Sequence, residues 1–208
     1  MIGSLDGAIQ RWVREHPSAL PLRLLEPLQE PRPLSYLGRS FALQPLSALL
    51  YLTGSALDSD ALRDAGLGCA TANIANSLPR HVVGRMTGRL RPRYSDDPYD
   101  FDPLAWSAWP RRSFPGGHGS NIMACASYWN HRFDLGPAGP LLYAFAVALG
   151  AARMASEAHW ASDTVFGSIL GWAVGRGIAG RFAGREPDDG APAETGSPVT
   201  IGWRIPVP

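Results

Sequence analysis

In the segment Ala152 to Asp163, ARMASEAHWASD, Arg153 precedes His159 by six residues and Asp163 follows it by four. A helix starting near His159 would put Asp163 one turn on and on the same face. There a carboxylate can accept a hydrogen bond from one imidazole nitrogen, leaving the other unprotonated and nucleophilic. Arg153, at the end of a preceding helix, would aim a planar fork of donors at an anion's oxygens. A second segment, SFPGGHGS from Ser113 to Ser120, places His118 directly after Pro115, Gly116 and Gly117. These residues permit a tight turn whose backbone N–H groups converge on an anion at a helix N-terminus. An imidazole there suits protonation of a departing oxygen, a task worth roughly 10²- to 10⁴-fold in rate. A third segment, GRMTGRLRP from Gly84 to Pro92, gathers Arg85, Arg89 and Arg91 where a proline breaks a helix. Arg91, directly before Pro92, is pushed away from helical geometry and can turn into a site.

Each segment also has a bland explanation: a surface His and Asp pair, an ordinary glycine-rich helix start, arginines complementing a helix dipole. Together they supply what a metal-free phosphoryl transfer needs. Arginines would hold the oxygens, His159 would be the nucleophile, Asp163 its orienting carboxylate, and His118 the acid for the leaving group.

These residues must be positioned by helices. Alanine and leucine fill the apolar segments, and alternating runs of β-branched residues are absent until Val199. The expected fold is all-α, with helices over roughly 5 to 15, 41 to 56, 60 to 88, 119 to 131, 139 to 155 and 159 to 182. Residues 89–117, with five prolines and an acidic, aromatic stretch, read as a long loop. One domain over 1–183 and a flexible tail over 184–208, with one strand or nothing after Val199, is the natural division for this length.

Composition narrows the partners. Arginine accounts for all 19 basic side chains, and with 18 acidic residues the net charge is +1, so no basic surface for nucleic acid is indicated. Cys69 and Cys125 stand far apart without metal-ligand spacing, and read as two small buried side chains rather than a disulfide framework. The remaining histidines match no metal spacing, and the acidic loop lacks the glycine and glutamate of a calcium loop, so no metal is expected. Residues 40–57 and 135–152 are both 18 residues long and uncharged, close to the about 20 that a spanning helix needs. The reading is membrane association, with packed soluble helices as the alternative. No cleavable secretion signal is expected in the N-terminal residues, which carry charges where an apolar run belongs.

In chain order the three segments resemble the type 2 phosphatidic acid phosphatases, a family that includes bacterial acid phosphatases and vanadium-dependent haloperoxidases. Its signature is K-x6-R-P, P-S-G-H and S-R-x5-H-x3-D. The matches are Arg91 and Pro92; Pro115, Gly117 and His118; Arg153, His159 and Asp163. The resemblance implies a helical bundle with the site at one end, a phosphohistidine intermediate and no cofactor. Phosphate would be held by Arg91, Arg153 and the Gly116 and Gly117 backbone. The borderline apolar helices would bring the site near headgroups, so the expected substrate is a lipid phosphate, such as phosphatidic acid or an isoprenoid phosphate, at a bacterial inner membrane with the site facing outwards. This chain departs at the lysine, which is Gly84, at the motif serine, Gly116, and at the serine before the second arginine, Ala152. Arg85 or Arg89 stands as the expected substitute for the lysine. A member that binds phosphate or a phospholipid headgroup without turnover is the alternative, and a haloperoxidase is disfavoured by the missing lysine.

Overall fold

The computed structural model describes residues 2–104 and 109–183. The expected tail and the segment after Val199 lie outside the described residues. Seven α-helices run through the described residues: α1 (Ile2–Glu15), α2 (Leu20–Leu25), α3 (Ser40–Ala56), α4 (Asp60–Thr87), α5 (Gly117–Arg132), α6 (Ala138–Ala155) and α7 (Ala161–Ala183). No strand is present among them. The six expected helices all form, with ends within three residues of the expected ones. The stretch between α1 and α3 departs from expectation. Five prolines there exclude long helices, yet α2 and short 3₁₀ turns at Glu26–Leu28 and Pro33–Gly38 give it shape.

Local chemistry sets the ends of the long helices. Ser59 opens α4 by accepting the Leu62 N–H at 3.4 Å, and Asp60 in the first turn complements the dipole. Gly88 closes it at φ 56°, where a Cβ would collide with the Asp102 backbone, so only glycine fits this turn.

The centre of the bundle is α5. Its residues from Gly119 to Tyr128 are all buried, and most are small. Close packing follows from a glycine stripe on α7: a Cβ at Gly167, Gly171 or Gly175 would collide with the carbonyl oxygens of Gly116, Ser120 or Ala124. Two helices can then approach backbone to backbone, which ties the start of α7 to the start of α5. The apolar core gathers Leu43, Ile122, Met123, Ala146 and Leu149. Cys69 of α4 and Cys125 of α5 also lie here, and they form a disulfide. The expectation of two separate buried thiols is corrected: residues 56 apart in sequence meet where α4 crosses α5, a proximity that linear spacing does not carry.

By length and composition, α6 is the one helix among the described residues apolar enough to cross a membrane. Exposed apolar side chains extend beyond it, with Leu49 and Leu52 on α3, Ile74 and Leu78 on α4, and Val165, Phe166 and Ile169 on α7.

Candidate active site

α6 ends in a reversal that sets up the site. The Glu157 N–H donates to Met154 at 3.0 Å and the Ala158 N–H to Arg153 at 2.9 Å, a Schellman arrangement with Glu157 at φ 54°. The chain therefore folds back over Arg153, and His159 lies in the bend before α7. Its Nδ1 is 2.6 Å from the Ser113 carbonyl, and 3.8 Å from Asp163 Oδ2. The second distance is too long for a hydrogen bond. The expected His159–Asp163 bond is replaced by a backbone acceptor from the loop before α5.

Asp163 acts on the same unit through other atoms. It accepts the Trp160 N–H at 2.9 Å, the Ser113 hydroxyl at 2.5 Å and Arg89 Nη1 at 2.6 Å. The first bond is the acidic half of a capping box at the start of α7. The second holds the residue whose carbonyl meets His159. Arg89 also pairs with Asp6 of α1 at 2.7 Å, and Ser162 donates to Asp6 as well. Burial opposes the charge on Asp163, yet His159, Arg89 and Ser113 together hold its carboxyl below the usual carboxylate range. Burial, reinforced by Arg91 and Arg153, lowers the His159 pKa despite Asp163, so the ring is neutral.

His118 is the second residue of α5 and lines the same cavity as His159, a space of about 380 Å³. Arg91 and Arg153 line it too. Arg91 donates to the Ala158 carbonyl at 2.9 Å and to the Arg112 carbonyl at 3.2 Å, and lies over the Trp109 ring. Burial lowers its pKa to about 9, helped by Arg153, and it remains a cation at neutral pH. Six arginines and one carboxylate, Glu30, face this cavity among the described residues. Such a concave, positively lined space concentrates anions.

A family model described as the PAP2 superfamily matches residues 62–185. The chain belongs to the PAP2 superfamily. Membership implies phosphatase-type activity on phosphate esters. No curated protein and no solved structure matches the chain.

The PAP2 motif residues Arg91, His118, Arg153 and His159 all line this one cavity. Several expectations around them change. Gly116 does not offer its N–H to the cavity, because that N–H donates to the Asp163 carbonyl at 2.8 Å. Gly117 opens α5 and does line the cavity. Of the two arginines expected at the lysine position, Arg85 lines the cavity whereas Arg89 is buried between Asp6 and Asp163. The reason is the turn at Gly88, which sends the chain away from α4 before Arg89.

Two cavity residues were not among those expected from the sequence. Glu30 approaches His118 Nε2 at 3.2 Å and Arg153 Nη1 at 3.0 Å, and accepts from Arg39 Nε at 2.9 Å. It lies outside the matched segment, on the proline-rich stretch. Burial raises its pKa, but Arg39, Arg153 and His118 outweigh this and hold it near about 2. Conversely, burial and Arg153 lower His118 further than Glu30 raises it, to about 3. Arg80 is the other, one turn before Gly84 on the same face of α4. Its spacing from Gly84 is the signal that could have found it.

Proposed function

We propose that this PAP2 chain hydrolyses phosphate monoesters through a phosphohistidine, with a lipid phosphate as its substrate. One observation carries the reading: two neutral imidazoles, His159 and His118, share a small cavity with Arg91 and Arg153. The Ser113 carbonyl can only accept, so Nδ1 of His159 holds the proton and Nε2 carries the lone pair. Nε2 attacks phosphorus as the ester P–O bond breaks, and His118 delivers a proton to the departing oxygen. His118 then takes a proton from water, whose oxygen displaces His159 and releases phosphate. The dianion brings the charge that makes protonation of His118 favourable inside a site that otherwise holds it neutral. Guanidinium groups of Arg91 and Arg153 stabilise the equatorial oxygens.

Lipid as the substrate's carrier is supported by α6 and by the exposed apolar side chains on α3, α4 and α7. A membrane-associated enzyme with its site facing outwards also suits a chain that holds a disulfide, since oxidising compartments preserve one. Phosphate binding without turnover is the second reading, favoured by Glu30 on Arg153 and His118 and by Gly84 at the lysine position.

The test is phosphate release from phosphatidic acid and from a soluble aryl phosphate by the detergent-solubilised chain, with and without vanadate and EDTA. Turnover blocked by vanadate and indifferent to EDTA supports hydrolysis through His159. Vanadate binding without turnover selects the second reading, and EDTA-sensitive turnover sinks the metal-free mechanism.

A further inference from the structure

The cavity's cations differ in what they already hold. Arg153 and Arg39 are engaged by Glu30, and Arg91 is bonded to two carbonyl groups. Arg80 is not so engaged. Its Nε is buried without a hydrogen-bond partner, and no carboxylate among the described residues forms an ion pair with it. Desolvation is what perturbs it, with no neighbouring charge contributing. Arg80 is half-buried as a whole, and a guanidinium whose Nε is shut off from water without a partner gains when an anion arrives to complete it.

Its position matches that requirement. Arg80 Nη1 lies 2.8 Å from where a Cβ on Gly117 would be, so the guanidinium rests against the first residue of α5, beside His118. The missing side chain at Gly117 lets it come that close. Gly84 contributes in a similar way: a Cβ there would stand 3.0 Å from the Phe114 carbonyl, so a bare residue allows the Phe114–Gly117 loop to settle against α4. The first turn of α5, at Gly117 and His118, and the Arg80 side chain therefore line the same cavity.

We propose that Arg80 is a phosphate-binding residue of this site, clamping the substrate's phosphoryl group from the α4 side opposite Arg153. The assignment rests on the phosphatase reading for its substrate but on the cavity's own geometry for its anion. It gives this chain a cation on α4 without a lysine, placed one turn before Gly84 because an arginine side chain is long enough to reach the glycine loop from there.

Binding of orthovanadate and inorganic phosphate is measured by calorimetry on the solubilised full chain, beside kcat and KM for an aryl phosphate, in wild type, Arg80→Ala and Arg80→Lys. Arg80→Ala is expected to weaken both anions and raise KM by about tenfold to a hundredfold. Arg80→Lys should recover most of that loss, and free guanidinium should partly rescue Arg80→Ala, neither of which a packing role provides. Anion affinity within twofold of wild type in Arg80→Ala overturns the assignment, as do equal losses in both variants without guanidinium rescue. So does a wild type that binds neither anion. If wild type binds vanadate, Arg80→Ala loses it, and no ester is turned over, Arg80 stands while the phosphatase reading falls.

Discussion

The Ser113 carbonyl and His159 Nδ1 stand 2.6 Å apart across 46 residues of sequence. A carbonyl has no proton to give, so this contact selects one tautomer and leaves Nε2 with the lone pair that the proposed nucleophile needs. His159→Ala should lower kcat by at least about 10³-fold, as loss of a nucleophile does. His118→Ala should lower it by roughly 10²- to 10⁴-fold. A rapid-quench search for acid-labile phosphate on the protein should find it in His118→Ala and not in His159→Ala. The reverse pattern would exchange the two roles.

Asp163 reaches His159 through Ser113 as well as through its own field. Ser113→Ala removes a hydroxyl from Asp163 but leaves the carbonyl in place. Its kcat should fall by no more than about tenfold, the effect of one hydrogen bond, whereas Asp163→Ala should cost far more by uncoupling Ser113, Trp160 and Arg89 together. Equal losses in the two variants would show that the Ser113 hydroxyl matters as much as its carbonyl.

Glu30 and an incoming phosphate want the same partners. With Glu30→Gln the carboxylate no longer occupies Arg153 and His118, and inorganic phosphate should inhibit at concentrations lower by about tenfold, a scale set by one partly screened charge. Inhibition constants across pH 5 to 8 are the measurement. Weaker inhibition in the variant would show that Glu30 orders Arg39 and Arg153 more than it competes.

The His159 and His118 imidazoles both have pKa values pushed down by burial. The sign follows from proton uptake. Below about pH 6.5 the unfolded chain binds protons that the native site refuses, so stability is present above that value and is lost as pH falls. The urea midpoint should therefore drop between pH 7 and pH 5, before the carboxylates contribute. His118→Gln combined with His159→Gln should flatten that slope, and an unchanged slope would contradict buried neutral rings.

Arg89 is held by two buried carboxylates, and Asp6 brings α1 into that unit. Arg89→Ala leaves Asp6 and Asp163 uncompensated and should destabilise the fold by about 3 to 5 kcal/mol. Reducing Cys69–Cys125 should lower stability by about 2 to 4 kcal/mol while leaving KM unchanged, since neither cysteine lines the cavity. Denaturation midpoints with and without reductant, beside activity at low denaturant, separate the two effects.

Much of this was legible in the residues themselves. Helix runs followed from alanine and leucine segments bounded by proline and glycine, because propensity and chain-breaking act over a few neighbours. The residues that share the cavity were legible too: Arg91, His118, Arg153 and His159 stand at short fixed spacings within three segments. Tertiary structure decided everything that joins one segment to another. It paired His159 with the Ser113 carbonyl instead of the aspartate four residues on, because the bend before α7 turns the ring towards the α5 loop. It sent Arg89 into a buried ion pair and left Arg80 facing the cavity, because Gly88 ends α4 between them. It brought Glu30 to Arg153, and Cys69 to Cys125, across distances in sequence where no periodicity operates. Spacing along a chain specifies which groups share a face of one helix, whereas contact between helices depends on where backbones can approach, and here the glycines of α7 and the loops at the ends of α4 and α6 set that.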